Sequence, residues 1–231
     1  MNNSVVPVVT IDGPSGSGKG TIGQILARRL GWHFLDSGAL YRAVGYAAKL
    51  ARIDTNNNED TAGVALLARE MDIHFDFDPV PDGPVKVILN GAEIGDALRT
   101  EEAGAAASQV AAIPEVRSAL LEKQHAFRQL PGLVADGRDM GTTVFPDAVL
   151  KIFLTASPDV RAQRRYKQLK EKGFDANLAR LLGEIRDRDA RDAARAASPL
   201  VPAADASILD TSALSIPEVV QQIEHLLRAR L

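Results

Sequence analysis

The spacing of apolar positions changes several times along the chain, and each change marks an element. Val5–Asp12 is apolar and β-branched without alternation, which predicts a strand buried on both faces. After a glycine-rich turn, Ile22, Ile25, Leu26 and Leu30 recur at helical spacing, and Gly31 supplies a stop. Trp32–Asp36 predicts a short second strand, and Leu40, Ala43, Val44 and Ala47 a second helix. Between 53 and 99 the period becomes two. Ile73, Phe75 and Phe77 alternate with His74, Asp76 and Asp78, and Val85, Val87 and Leu89 with Lys86, Ile88 and Asn90. With a turn at Pro79, Pro81, Gly83 and Pro84, this predicts a half-buried antiparallel hairpin set into an α/β chain. Two Ala-rich helices follow, around 100–112 and 115–129. Thr100 is placed to cap the first, with Glu101 and Glu102 in its first turn. Leu133–Asp136 and Val149–Thr155 predict strands, and Ser157, Pro158 and Asp159 open a helix that stops near Gly173. Another helix is expected from about Asn177 to Ala197, then a last strand at Ile208–Asp210. Ser215 and Glu218 form a capping box ahead of Val219, Val220, Ile223, Leu226 and Leu227. About five core strands joined by helices imply an α/β fold with a parallel sheet covered on both sides.

Composition narrows the chemistry. With 27 Lys and Arg against 30 Asp and Glu, the net charge of −3 provides no overall basic field for a nucleic acid, so no nucleic-acid partner is expected. Cysteine is absent, which removes disulfides, thiolate metal sites and a Cys nucleophile, and fits a reducing compartment. The opening MNNSVVPVVTIDG has no positively charged start, and no stretch approaches the roughly 18 apolar residues of a membrane span. The expectation is a cytoplasmic protein without a membrane partner. The four histidines are scattered and lack zinc-ligand spacing, so no resident metal site is predicted from side chains.

The strongest local signal is Gly13, Pro14, Ser15, Gly16, Ser17, Gly18, Lys19, Gly20 and Thr21, placed after a buried strand and before an amphipathic helix. That is the context of a phosphate-binding loop. Glycines let backbone N–H groups wrap an anion, the helix N-terminus adds partial positive charge, and Lys19 neutralises the β and γ oxygens. Gly20 stands where a Ser or Thr hydroxyl would reach Mg²⁺, so the metal is expected to be held through phosphates and water. The loop alone does not separate kinases from GTPases and ATPases, although no Asn-Lys-x-Asp guanine-reading motif is present.

Further along, Leu178, Leu181 and Ile185 step at helical spacing into Arg188, Asp192 and Arg195, with Arg191 beside them. Guanidinium groups on a partly buried face match an anionic guest, while Arg and Asp side by side also suit a solvated helix end. Asp136, Gly137, Arg138, Asp139, Met140 and Gly141 end a buried strand, where ligands of open α/β sheets bind. There Asp136 is suited to a metal-bound water and Arg138 to a phosphate. Asp36, Ser37 and Gly38, followed by Tyr41 and Arg42, form a similar strand-to-helix turn.

GPSGSGKGT at 13–21, LDSGALYR at 35–42, ASQVAA at 107–112, DGRDMGT at 136–142, RDRDARD at 186–192 and SPLVPAADA at 198–206 together resemble the bacterial cytidylate kinases. The resemblance spans almost the whole chain, hairpin insert included. Gly20 is shared with the wider nucleoside monophosphate kinase group, whose loop reads GKGT. The resemblance implies a P-loop NTPase-type sheet and transfer of a phosphoryl group from ATP to CMP or dCMP with Mg²⁺, by a monomer. It also implies one kinase domain in three parts. These are a core of 1–36, 131–156 and 198–231, an acceptor-binding part over 37–130 with its insert at about 53–99, and a helical lid over about 157–197. It puts Ser37 and Arg42 near the acceptor phosphate, and Ser108, Arg117 and Asp139 at the cytosine. Arg188 and Asp192 go by the acceptor sugar and phosphate, and Lys19, Arg138, Arg188 and Arg195 at the transferring phosphoryl group. Residues 13–21 and Arg164 go on ATP, with Arg161 and Arg165 as neighbours on the lid helix. The residues read without the resemblance leave two rivals open. One is a P-loop kinase acting on UMP, AMP or a non-nucleotide metabolite; the other is a switch that binds ATP without transfer.

Overall fold

The first strand, β1 (Val8–Asp12), is buried along its whole length because it occupies the centre of a five-stranded parallel sheet. A computed structural model describes residues 5–55, 60–77, 85–171, 173–195 and 197–230. Beside β1 lie β6 (Leu133–Gly137) and β7 (Leu150–Thr155); β2 (His33–Asp36) pairs with β6, and β8 (Ser207–Asp210) with β7. The register sets Asp12 beside Gly137 and Phe153, and Asp36 beside Asp136. Three carboxylates therefore reach the same carboxyl-terminal edge of the sheet.

Alternation along the strands divides the interior into two layers. Val9, Ile11, Val134, Leu150, Ile152 and Leu154 pack beneath α1 (Lys19–Leu30) and α8 (Ile216–Arg228). Val8, Leu35, Leu133 and Ala135 face α2 (Ser37–Leu50), α4 (Glu101–Val110) and α5 (Pro114–Ala126). Gly31 ends α1 in the left-handed conformation, Thr100 caps α4 through the Ala103 N–H, and the Ser215–Glu218 box opens α8, all as the sequence predicts. The two helices α6 (Pro158–Glu171) and α7 (Leu178–Ala193) pack on each other beside the sheet edge.

The insert is richer than a hairpin. It holds α3 (Thr61–Glu70) and three antiparallel strands, β3 (Ile73–Phe77), β4 (Val85–Leu89) and β5 (Ala92–Glu93). The alternating burial of β4 follows its sequence pattern. The predicted turn residues Pro79, Pro81, Gly83 and Pro84 lie outside the described residues. Helix α3 escapes the pattern reading because its buried stripe is Val64, Ala65 and Ala68, too weakly apolar to stand out. Several boundaries also move, and one element is added. β1 starts at Val8, since Val5 is exposed, and β2 starts at His33; α7 stops at Ala193, and Met140–Val144 forms one π-helical turn after β6.

Leu154 is fully buried in β7 under α8. Leu154→Ala should cost about 2–5 kcal/mol, since a cavity adds to the lost transfer free energy. Urea unfolding checks this, and a loss under about 1 kcal/mol would contradict the packing described.

Candidate active site

The loop between β1 and α1 takes a shape only glycine allows at two points. A Cβ on Gly13 would lie 2.1 Å from the Leu154 carbonyl oxygen, and Gly18, with φ 94°, leads into α1 in the left-handed region. Among the described residues no side chain caps α1, so its first-turn N–H groups are open to an anion. Ser17 Oγ is buried there with no hydrogen-bond partner among the described residues. Lys19 Nζ donates to the Pro14 carbonyl at 3.3 Å and stands 4.0 Å from Asp136 Oδ1. Burial, helped by the nearby Arg138 charge, pulls Lys19 down to about 8, against the attraction of Asp136. Burial pushes Asp136 up to about 7, with Lys19 opposing and Asp36 adding to the rise.

The 186–195 segment turns its arginines toward this loop. Arg188 Nη1 donates to Ser15 Oγ at 3.3 Å and passes close over Gly104 of α4. Asp192, 1% exposed, accepts from Arg138 Nε at 2.9 Å and pairs with Arg195. Burial works against its charge, but Arg138 and Arg195 outweigh it and hold the carboxyl below the usual range. Burial pulls Arg195 down, and its surroundings include Arg138 and Arg117 as well as Asp192. Arg117 in turn pairs with Asp139 and lies over the Tyr41 ring at 5.9 Å. Ser108 Oγ is buried nearby in α4 without a hydrogen-bond partner among the described residues. Asp36 caps α2 through the Ala39 N–H and binds Arg42 at 2.8 Å, while Ser37 Oγ donates to Gln124 Oε1.

The fold thus gathers the sequence candidates into two adjoining groups. Residues 15–21, Arg42, Arg164 and Arg188 line one cavity of about 900 Å³. Arg138 and Arg195 both pair with Asp192, and beside them Arg117 pairs with Asp139, with the Arg117 and Arg195 charges close enough to repel. Some candidates stand elsewhere than expected. Arg191 is exposed and belongs to the solvated side of α7, and Leu178 is also exposed, so the buried stripe starts at Leu181. Arg161, by contrast, lines the same cavity as the loop, and its buried guanidinium donates to the Ala156 and Ser15 carbonyls and to Asp189, so it also clamps the loop, α6 and α7. Arg164 lines the cavity while donating to Thr211 Oγ1 at 3.0 Å, and Arg165 reaches the Arg99 carbonyl at 3.2 Å.

Similarity to known proteins identifies the family. The family model described as cytidylate kinase matches residues 9–229. The chain belongs to the cytidylate kinase family. It is 59% identical over 218 residues to a cytidylate kinase of Stutzerimonas stutzeri (strain A1501), covering 94% of this chain and 93% of that one. It is 56% identical over 223 residues to a cytidylate kinase of Pseudomonas paraeruginosa (strain DSM 24068 / PA7), covering 96% of each. Among solved structures it is similar to an uncharacterized protein from Eubacterium ventriosum ATCC 27560. That match has a TM-score of 0.51 and 11% identity, and covers 97% of this chain and 99% of that one, a likeness of fold alone.

Pattern reading missed several polar groups that shape this cytidylate kinase site. Asp12, Gln124, Asp189 and Thr211 hold loops or candidate side chains; Asp189 lies within the 186–192 motif without being singled out there, and the other three lie in no quoted motif. Asp12 is marked only as a carboxylate ending the apolar β1 run, and the others carry no distinguishing sequence pattern. As for a metal, among the described residues no group of three or more acidic or His side chains is arranged to hold one. Asp136 Oδ1 is buried without a hydrogen-bond partner among the described residues, and a hard oxygen there suits Mg²⁺ that keeps its waters. The residues present therefore fit a nucleotide-borne Mg²⁺ better than a caged one. Among the described residues, no helix is long and apolar enough to cross a membrane.

In the nucleotide-free protein, Asp136 rises from 3.8 to about 7, so folding takes up a proton between those values. The stability this contributes is present below about pH 4 and is lost as pH rises through about 7. The melting temperature of Asp136→Asn minus that of the native chain should therefore grow between about pH 5 and about pH 8. A difference that is flat or shrinks with pH would contradict the burial of this charge.

Proposed function

We infer that the chain transfers the γ-phosphoryl group of ATP to CMP or dCMP, giving ADP and CDP or dCDP. The observation that carries this reading is the continuity of cationic groups between two ends. Arg188 touches the Ser15 hydroxyl of the phosphate loop, and Arg138, Asp192 and Arg195 lead from there to the Arg117–Asp139 pair. Residues 13–21 would cradle the ATP phosphates, with Lys19 on the β and γ oxygens and Arg164 beside them. Ser37 and Arg42 would meet the acceptor phosphate, and Arg188 and Asp192 the acceptor's phosphate and ribose.

Base choice follows from hydrogen-bond polarity. Cytosine offers an amino group at N4, which the Asp139 carboxylate accepts; uracil presents a carbonyl there, and two acceptors face each other. Arg117 donates to N3 or O2, and the Ser108 hydroxyl lies in the same region. An unpaired polar contact in a closed site costs about 1–3 kcal/mol, hence discrimination of roughly 5- to 150-fold.

Phosphoryl transfer asks the protein for alignment, charge neutralisation and dryness. The acceptor phosphate is itself a nucleophile, so no side chain need take a proton from it. Lys19 and the guanidinium groups of Arg138, Arg188 and Arg195 would hold the three equatorial oxygens as charge spreads onto them. Asp136 would hold Mg²⁺ through water, and the ion would supply positive charge against the phosphates. Residues 37–130 would serve as the acceptor-binding part and 157–197 as a lid, with the Arg165–Arg99 contact where the two meet. Such closure keeps water from intercepting the phosphoryl group. The same reading takes the working unit to be a cytoplasmic monomer handling free nucleotides.

Coupled ADP release over a panel of acceptors tests the assignment. CMP and dCMP should stimulate release well above UMP and AMP; equal rates with AMP, or none with any acceptor, would overturn it. Lys19→Ala should fold and lose about 10²–10³ in kcat, as removal of one preorganised charge donor does. Normal turnover in that variant would refute the role given to Lys19.

A further inference from the structure

Asp12 is a buried carboxylate to which the mechanism above gives no task. It closes β1 immediately before Gly13 and is 5% exposed. Among the described residues it makes no salt bridge. Its two oxygens accept from main chain instead, Oδ1 from the Met140 N–H and Oδ2 from the Gly141 N–H, each at 2.8 Å. Burial pushes its carboxyl up to about 6 although the Gly141 and Met140 amides pull it down. A buried charge held only by two amides is a costly device, and what it holds is informative.

Those amides open the π-helical turn Met140–Val144, and the residue ahead of that turn is Asp139. An Asp in this position ordinarily turns its carboxylate onto the free N–H groups of its own turn. Asp139 makes no such cap and pairs with Arg117 instead. The capping is done from another strand, by a residue 128 and 129 positions earlier than the amides it binds.

We propose that Asp12 is a positioning residue for base selection: it caps the 140–144 turn from β1 and so keeps the Asp139 carboxylate turned toward Arg117 and the acceptor base. This inference rests on the CMP reading of the site. Without Asp12, the Met140 and Gly141 amides are left buried and unpaired, and Asp139 is an alternative acceptor one and two residues away. Its carboxylate then swings onto its own backbone, and the contact that distinguishes an amino group from a carbonyl is lost.

The test is steady-state kinetics with CMP and UMP on the full chain, with KM for ATP and melting temperature measured alongside. The proteins are native, Asp12→Asn, Asp12→Ala, Asp139→Asn and the doubles pairing Asp139→Asn with each Asp12 variant. Asn keeps the shape and one acceptor but sets an amide donor against an N–H. Asp12→Asn and Asp12→Ala should each lower the CMP-to-UMP ratio of kcat/KM about tenfold, mainly through KM for CMP, with KM for ATP changed less than about twofold. Each double should be no less selective than Asp139→Asn alone, because Asp12 acts through Asp139. A ratio unchanged in Asp12→Asn, an equal rise in KM for ATP, or additive losses in the doubles would overturn the proposal. Failure of Asp12→Asn to fold would also overturn it, by making the residue structural; if only Asp12→Ala fails, the Asn pair decides. A native chain that does not prefer CMP to UMP would instead defeat the functional reading itself.

Discussion

Like charges taken out of water at one sheet edge govern this molecule. Lys19, Arg117, Arg138, Arg188 and Arg195 converge where Asp136, Asp139 and Asp192 are also buried. Burial disfavours the charge on Lys19 and Asp136 alike, and it holds both away from their ordinary ionisation. A bound phosphate would favour the charge on Lys19 and the arginines by giving them a partner, while keeping Asp136 raised. Affinity for polyanions and the electrostatic cost of the free state are two sides of one arrangement.

The sheet explains why the charges meet. Parallel strands in the order β2-β6-β1-β7-β8 deliver Asp36, Asp136, Asp12 and Thr155 to one edge, next to the uncapped start of α1. The phosphate loop is then braced from outside. Arg161 binds the Ser15 carbonyl and Asp189 of α7, while Thr211 accepts from Arg164 and donates to the Ser17 carbonyl. Through Asp189, the helix that carries Arg188 is tied to the loop that Arg188 serves. A charge network is only as well aligned as the uncharged backbone contacts that support it.

Two acidic residues near the acceptor side show how work is divided. Asp36 both caps α2 and pairs with Arg42, using one oxygen for each. Asp139 does not cap its own turn, and its carboxylate is committed to Arg117. The difference lies in what else is within reach: a carboxylate from β1 already occupies the amides beside Asp139.

Features whose cause is local could be read from the chain alone. Strand alternation, the helical stripes of α1 and α8, the Thr100 and Ser215 caps and the glycine-lysine loop depend on neighbours within a few residues, so their spacing carries the information. Helix α3 stayed hidden because alanine marks a buried face too faintly, and the π-helical turn because its amides are satisfied from β1. Whether the 186–195 arginines were a solvated helix end or a phosphate clamp was undetermined in the sequence, where both have the same pattern. Tertiary structure divides them by burial and contact, burying Asp192 and sending Arg188 to Ser15 while leaving Arg191 in water. The reason is that these contacts join segments 50 to 170 or more residues apart, such as Arg138 with Asp192 and Ser15 with Arg188, and only chain topology brings such segments within hydrogen-bond reach.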